Sequence, residues 1–301
     1  MPSILNDKHF HDENAAYAFV EARVWPNGPV CPHCGGTERI SKMGGTSTRI
    51  GAYKCYQCRK PFTVKVGTVF EASHVPLHLW LQAIFLMSSS KKGISSNQLH
   101  RTLGVTLKTA WFISHRIREA MRSGDLAPIG GQGGIVEIDE TYTGVRESAR
   151  NRKKRAGGSH KNVVLTLVDR KGSARSFHIG WADKRTILPI VRANLDNEAR
   201  VVTDDSPIYH NLDREYEHAF VVHSKNQWGR GEIHTNTIEG YYSIFKRGMK
   251  GIYQHCSEKH LHRYLSEFDF RYSNRVALGV NDLARADRAL KGISGKRLTY
   301  R

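Results

Sequence analysis

Hydrophobic and polar positions in the first 123 residues predict a short helix, a strand-rich segment and then three helices. Apolar residues at helical spacing over residues 14–23 follow Asp12, which can cap that helix. Patterns rich in strand-forming residues predict strands at residues 46–53 and 62–69. From Pro76 onwards the spacing of apolar residues becomes helical again. The chain is therefore expected to begin with a small strand-bearing lobe that is followed by helices.

The three helices of this region have a helix-turn-helix pattern. Ser95 and Gln98 form a capping box for the second helix, and Thr106 can cap a third helix that runs to Met121 after a tight turn. A recognition helix in the major groove buries its apolar side and exposes a basic side. The basic residues expected to face outward are Lys108, His115, Arg116, Arg118 and Arg122. A helical connector with a solvated basic face is the alternative.

Beyond a glycine-rich linker at residues 124–134 the pattern changes to strands. Strands are predicted at residues 135–140, 162–169, 174–180, 199–203 and 219–222, with a helix at residues 186–195. Three strands joined as hairpins and then strands alternating with helices are typical of a mixed sheet covered on both faces. The predicted fold class of this region is therefore α/β, with a mixed five-stranded sheet and flanking helices.

Acidic residues stand where strands of this sheet end. Asp139 lies near the end of the first strand, and Asp204 directly follows the fourth. If these strands are parallel neighbours, both carboxylates project from the same carboxyl edge of the sheet. Glu239 follows on an amphipathic helix, with Lys246 two helical turns later. A polar strand end would explain either aspartate alone, and a capping box of Asn236 and Glu239 would explain the glutamate.

Three carboxylates at close range imply bound cations, because their like charges would otherwise raise their pKa values. Oxygen ligands with open positions suit Mg²⁺ or Mn²⁺. Two such ions about 3.5–4 Å apart could activate an attacking oxygen and stabilise a leaving oxygen. The predicted chemistry is in-line phosphodiester cleavage or exchange. Asp205 leaves the second ligand open, but Asp204 is preferred because it directly follows the apolar strand.

Four of the five cysteines form two pairs, Cys31 with Cys34 and Cys55 with Cys58, with two residues inside each pair and twenty between the pairs. Each pair can turn two thiolates toward one point, so that two pairs complete a tetrahedral structural zinc site. A lobe of this size buries too little apolar surface to fold without the ion. A redox pair or four unrelated cysteines are the alternatives, but neither explains the symmetric spacing. We therefore predict a zinc ribbon.

The charge of the chain favours a polyanionic partner. Lys and Arg number 46 against 28 Asp and Glu, which gives a net charge of +18 over 301 residues. No apolar run approaches the about 18 residues of a membrane span, so nucleic acid is favoured over a membrane surface. A basic segment at residues 146–161 is expected to clamp the DNA backbone or to form a solvated hairpin. The first ten residues lack a secretion signal, and the expected location is the cytoplasm, in association with the nucleoid.

The acidic motifs together resemble those of a known family. IDETY at Asp139, VVTDD at Asp204, and TNTIEG at Glu239 with Lys246 seven residues later are similar to the Asp-Asp-Glu transposases of bacterial insertion sequences. Thirty-four residues separate Asp204 from Glu239, close to the spacing of that family. WPNGPVCPHCGG and HLHRYLSEFDFRYSNR resemble the branch with an N-terminal zinc ribbon.

This resemblance implies a ribonuclease-H-like core, Mg²⁺-dependent cutting and joining of DNA, and catalytic roles for Asp139, Asp204 and Glu239. Lys246 is then expected to contact a phosphate near the scissile bond. The predicted partners are the terminal repeats of the element and the target DNA, bound by a homo-oligomer. The predicted segments are residues 1–75 (first helix and zinc ribbon), 76–123 (DNA-binding helices), 124–134 (linker) and 135–301 (catalytic domain with a C-terminal helix). A non-catalytic regulator derived from a transposase and a nuclease without joining activity are the alternatives.

Overall fold

Contacts divide the chain into two units, and the first unit is made of separate stretches of sequence. The computed structural model describes residues 3–122, 124, 127–149, 160–222 and 231–298. Unit 1 consists of Met1–Ser90, Ile94–Arg122 and Asn281–Arg301, and unit 2 of Lys91–Gly93 and Ser123–Val280. In the part of the chain that is described, no helix is both long enough and apolar enough to cross a membrane.

The strand-bearing lobe of unit 1 is a small antiparallel sheet in the order β1-β2-β3. Its strands are β1 (Ile40–Lys42), β2 (Tyr53–Cys55) and β3 (Pro61–Phe62). The strands predicted at residues 46–53 and 62–69 are therefore wrong in extent, because most of both segments forms turns. The apolar residues of these segments pack around the cysteine pairs, and their alternation does not reflect a long strand ladder.

The helices of unit 1 begin at the capping residues that the sequence predicts. They are α1 (Glu13–Val24), α2 (Leu77–Ser89), α3 (Ser96–Leu103) and α4 (Leu107–Met121). The side chains of Asp12, Ser95 and Thr106 each accept a hydrogen bond from a backbone N–H in the first turn. These side chains satisfy N–H groups that the helix itself leaves without a partner.

The predicted outward basic face of α4 is wrong at three of its five positions. His115, Arg116 and Arg118 are buried, whereas Lys108 and Arg122 are exposed. Arg116 donates hydrogen bonds to the carbonyl oxygens that follow β3, those of residues 69 and 71, at 2.8 and 2.7 Å. The helix packs on two sides within unit 1, so a buried basic residue such as Arg116 forms hydrogen bonds inside the unit.

The C-terminal residues belong to unit 1. Helix α8 (Asp282–Lys291) was not predicted, and Ala289, Leu290 and Ile293 on and after it are buried. Ser294 forms an isolated antiparallel bridge with Thr68. The division into four predicted segments stays a prediction, but residues 281–298 pack in unit 1 and not with the strands of residues 135–222.

The core of unit 2 is a five-stranded sheet in the order β6-β5-β4-β7-β8. Its strands are β4 (Ile135–Thr143), β5 (Asn162–Asp169), β6 (Ala174–Ile179), β7 (Arg200–Asp204) and β8 (Glu217–Val221). β4, β5 and β6 are antiparallel neighbours, while β7 and β8 run parallel to β4. This mixed sheet confirms the predicted α/β, ribonuclease-H-like fold.

Successive side chains of a strand point to opposite faces of the sheet, and both faces of this sheet are covered. One face packs against α5 (Lys184–Asn194) and the segment after β7. The other face packs against α6 (Asn236–Gly248) and α7 (Leu261–Ser273). The strand edge that carries the predicted carboxylates therefore lies between two well-packed layers.

Candidate active site

Strand pairing brings Asp139 and Asp204 to the same level of the sheet. β4 and β7 are parallel neighbours whose pairing runs from Ile135 with Arg200 to Glu137 with Val202. Asp139 and Asp204 each lie two residues beyond that last pair. Both aspartates therefore lie just beyond the β4–β7 pairing, at the carboxyl end of β7, where open α/β folds bind their ligands. β4 itself continues to Thr143 beside β5, so Asp139 lies within its strand and not near the end as predicted.

The acidic residues at this place carry like charges that repel one another. Burial, the neighbouring Glu140 carboxylate and the Asp204 carboxylate raise the pKa of Asp139 to about 7, while the Lys246 ammonium acts in the opposite direction. Burial and the charge of Asp204 likewise raise the pKa of Glu140 to about 7. A bound cation would favour the ionised form of all these groups. Oxygen-only donors of this kind fit Mg²⁺ or Mn²⁺.

Glu140 is held by a residue outside the predicted motifs. The Tyr209 hydroxyl donates a 2.5 Å hydrogen bond to the Glu140 carboxylate from the segment that follows β7. The backbone N–H of Ser206 in the same segment donates to Asp204 Oδ1 at 3.1 Å. The Tyr209 bond ties the segment after β7 to β4, and the Ser206 bond holds the start of this segment against Asp204.

Helix α6 is attached to β4 by hydrogen bonds to Glu137 and to Asp139 itself. The Ile238 backbone N–H donates to the buried Glu137 carboxylate at 2.8 Å, and Arg170 Nε donates to the same carboxylate at 2.7 Å. The Tyr242 hydroxyl donates to the backbone carbonyl of Asp139 at 2.6 Å. The first two turns of α6 are therefore fixed relative to Asp139.

Glu239 lies on this helix, one turn before Tyr242. Its carboxylate is exposed and accepts a 2.9 Å hydrogen bond from the Thr235 hydroxyl. Among the described residues, the acidic oxygens of Asp139, Asp204 and Glu239 do not all lie within 4.8 Å of one another. The register places Asp139 and Asp204 at one level of neighbouring strands, and together with Glu239 they do not form a group as tight as this.

The capping-box alternative for Glu239 is wrong. Asn236 is the first residue of α6, and Thr235 precedes it without a side-chain bond to a backbone N–H of the helix. Lys246 lies two turns after Glu239, with its ammonium 5.8 Å from the centre of the Tyr242 ring. Glu239, Tyr242 and Lys246 therefore form one stripe along the helix.

The four paired cysteines form a second candidate metal centre, in unit 1. Their sulfur atoms all lie within 4.8 Å of one another, with 3.6 Å between Cys31 and Cys58 and 3.7 Å between Cys34 and Cys55. Four sulfurs about 2.3 Å from a tetrahedral centre would lie about 3.8 Å apart, so the geometry fits zinc. The backbone N–H of Cys58 lowers the pKa of Cys55 to about 7, which favours the thiolate that zinc binds.

Part of the basic segment that was predicted to clamp DNA, residues 150–159, lies outside the described residues. Residues 125 and 126 of the predicted linker lie outside them as well. In the described part of the basic segment, Arg146 Nε donates to the carbonyl oxygen of Lys161 at 2.7 Å. The Arg146 guanidinium lies 4.4 Å from the centre of the exposed Trp181 ring.

Sequence reasoning missed Glu137, Glu140, Tyr209 and Tyr242. Glu137 had a signal, because an acidic residue two positions before Asp139 in an apolar strand must face the same side of the sheet. Glu140 stands beside Asp139 in the IDETY motif and could also have been noted. Tyr209 and Tyr242 gave no such signal in the sequence, since apolar packing alone explains a buried tyrosine.

Comparisons with known proteins agree with this architecture. A model of the ISXO2-like transposase domain matches residues 132–273, and a model of the transposase zinc-ribbon domain matches residues 11–61. Over 280 residues the chain is 29% identical to a Halobacterium salinarum protein named "Uncharacterized protein in transposable element ISH50". That match covers 88% of this chain and 92% of the archaeal protein.

A solved structure gives a much weaker likeness. It is a chain of the cryo-EM structure of the simian T-cell lymphotropic virus intasome in complex with PP2A regulatory subunit B56 gamma, 14% identical with a TM-score of 0.30. The match covers 57% of this chain and 63% of that chain, less than two thirds of its length. A TM-score this low supports no conclusion about either fold or function.

Proposed function

Because this chain belongs to the transposases of insertion sequences that carry an N-terminal zinc ribbon, we infer that it cuts DNA at the ends of such an element and joins those ends to a target duplex. The observation that carries this inference is the position of Asp139 and Asp204 at one level of two parallel strands. Burial and the like charges of Glu140 and Asp204 raise the pKa of Asp139, as expected of a site built for a divalent cation.

Asp139, Asp204 and Glu239 would hold Mg²⁺, with Mn²⁺ as a substitute. Bound there, such cations activate an attacking oxygen and stabilise a leaving oxygen. Asp139 is positioned by the Tyr242 hydroxyl at its carbonyl group, and Glu239 lies on the first turn of the helix that carries Tyr242. Lys246 would contact a phosphate beside the scissile bond, because its ammonium already acts on the charge of Asp139.

DNA binding is assigned to both units. The four cysteines form the structural zinc site of the ribbon, and the ribbon with the neighbouring helices would bind the terminal repeats. On α4 the exposed Lys108 and Arg122 remain available for DNA, whereas Arg116 and Arg118 do not. Joining two ends would require a homo-oligomer assembled on DNA, in the cytoplasm and in association with the nucleoid.

A non-catalytic regulator derived from a transposase is the rival function. Such a protein would share the zinc ribbon and the basic charge but would not need a group of half-buried acidic residues at this place in the sheet. The group of Asp139, Glu140 and Asp204 therefore favours the enzyme. A nuclease without joining activity would share this group and is separated from a transposase only by its products.

Asp139→Asn tests the assignment. With a duplex that carries the element's end and flanking DNA, in Mg²⁺, both strand cleavage and joining are expected to fall by roughly 10²-fold or more, the scale for losing one electrostatic stabiliser. End binding, measured by gel shift, should be unchanged, because the substitution neutralises a carboxyl group whose pKa is already raised.

Asp205→Asn is the matched control and should retain both reactions, since Asp204 is the carboxylate that acts on Asp139. Cleavage by Asp139→Asn at the wild-type rate would contradict the proposal. Cleavage by the wild type without joined product would instead indicate the nuclease.

A further inference from the structure

A groove lies beside the carboxylates, within unit 2. It has a volume of about 790 Å³ and runs between the end of β4 and the segment that follows α6. Three of its lining residues are lysines, namely Lys161, Lys246 and Lys250. We refer to it as the lysine groove.

The charge of the lysine groove is of one sign. None of the described residues that line it is acidic, and His255 and Asn162 add polar groups to the three ammonium groups. Three lysines on a concave wall without an acidic lining residue concentrate positive potential, since the low-dielectric walls focus the field. A ligand with several phosphate groups in a row matches the charge of this surface.

The outer wall of the groove has an unusual backbone. After α6 the chain forms a π-helical turn, Met249–Tyr253, and Gln254 then has a φ of +53°. π-Helical turns inside longer helices are frequent at functional sites, and a non-glycine residue in the left-handed region must be held there by its surroundings.

A buried ion pair holds this wall in place. The Tyr253 hydroxyl donates to the Glu267 carboxylate at 2.6 Å, and Glu267 also pairs with Arg271 on α7. Both charged side chains are buried, at 0% and 6% exposure. The wall is therefore fixed to the core of unit 2, and the groove does not depend on a loose loop.

Lys246 connects the groove to the carboxylates. It lines the groove, and it lies one helical turn after Tyr242, whose hydroxyl donates to the backbone carbonyl of Asp139 at 2.6 Å. A polyanion lying in the groove therefore passes next to Asp139. The volume of the groove falls in the range of about 300–1,000 Å³ that is usual for small ligands, so the space inside it suits a short stretch of a single strand.

We propose that the lysine groove binds one or two unpaired nucleotides of the DNA strand next to the scissile phosphate, with Lys161 and Lys250 contacting its backbone. This proposal rests on the proposed function and adds the state of the substrate: the strand must be separated from its complement beside the cut. It predicts that the protein prefers DNA whose end is already open.

The test compares two fluorescent probes without added divalent cation: a blunt duplex and the same duplex with a short oligo-dT extension. The full-length wild-type protein is expected to bind the extended probe more tightly, and Lys161→Ala/Lys250→Ala should remove this preference. In a salt titration with the extended probe, the slope of log K should fall by about 0.7 for each lysine that contacts a phosphate on a single strand.

Lys184→Ala is the matched control, because Lys184 is an exposed lysine at the start of α5 and does not line the groove. It should keep the preference for the extended probe. Equal binding of the two probes by the wild type, or a preference that survives the double substitution, would overturn the proposal.

The outcome is independent of catalysis. Asp139→Asn should keep the preference for an open end, because Asp139 does not line the groove. If Asp139→Asn cleaves DNA normally while the double lysine variant loses its preference, the catalytic assignment is wrong and the proposal for the lysine groove stands. If Asp139→Asn loses cleavage while the double lysine variant keeps its preference, the catalytic assignment stands and the proposal for the groove is wrong.

Cys256 allows the extension to be located directly, since its thiol-bearing side chain lines the groove. An extension that carries a disulfide tether is expected to form a mixed disulfide with the wild-type protein and not with Cys256→Ser. Equal cross-linking of both proteins would place the extension elsewhere and contradict the proposal.

Discussion

The Tyr209 side chain affects the ionisation of Glu140, which lies beside Asp139. It is fully buried, and its hydroxyl donates to Glu140, whose pKa is raised to about 7 by burial and by Asp204. The hydrogen bond acts against this rise, because it stabilises the ionised carboxylate. Since Glu140 has a higher pKa in the folded protein than its ordinary value, its ionisation lowers the free energy of unfolding as the pH rises through 7.

Tyr209→Phe should therefore destabilise the protein more at pH 8 than at pH 5. At pH 8 the ionised Glu140 loses a charge-assisted hydrogen bond worth about 1.5–3 kcal/mol, whereas at pH 5 the carboxyl group is protonated in both proteins. Urea unfolding at the two pH values measures the difference. Tyr216→Phe, a change of the same kind in the same core cluster, should show no such pH dependence. An equal loss at both pH values would contradict this assignment.

Among the elements, α6 contains two glycines with opposite surroundings. A Cβ on Gly248 would lie 2.5 Å from the Phe268 ring and 2.7 Å from the carbonyl oxygen of Lys92. A Cβ on Gly240 would have no heavy atom within 4 Å outside its own helix and its chain neighbours. The first glycine permits close packing of the helix, while the second only adds flexibility to the unfolded chain.

Gly248→Ala is expected to lower the free energy of unfolding by about 1–3 kcal/mol, the usual cost of overpacking. Gly240→Ala in the same helix should raise it by about 0.5–1 kcal/mol, because alanine is the better helix former. Denaturant unfolding of the two variants gives this comparison. Similar effects of both substitutions would mean that α6 does not pack as described.

The elements also show which parts of the fold could be predicted from the sequence. The strands of unit 2 were predicted within a few residues, because apolar runs bounded by turns mark buried strands. α4 was harder, since a periodic pattern cannot show that a helix packs on two sides and buries His115, Arg116 and Arg118. The separation among the three carboxylates could not be predicted either, because strand order sets the level of Asp139 and Asp204 but does not set the side chains on a following helix.

For the whole molecule, the zinc ribbon depends on its ion more than any other part. Its buried apolar cluster consists of Cys31, Cys55 and Phe62, with a few half-buried neighbours. A core of this size contributes little free energy, so binding of zinc must supply much of it. Unit 2 has two large clusters on the faces of its sheet and no such need.

Cys34→Ser should therefore release zinc and unfold the ribbon locally. Hydrogen exchange of residues 31–62 is expected to accelerate, while that of residues 135–222 stays unchanged. Cys256→Ser should retain zinc, since Cys256 is not part of the four-cysteine cluster. Full zinc content in Cys34→Ser, measured with a chromogenic chelator, would contradict the assignment.

The placement of α8 affects how the chain can fold during synthesis. Unit 1 is completed by residues 281–301, whereas the last residue of unit 2 is Val280. A ribosome therefore releases every residue of the α/β unit before the last helix of the unit that began first. A nascent N-terminal unit must wait for its final helix with part of its apolar surface uncovered. A premature stop after Val280 would leave that surface permanently exposed to chaperones and proteases.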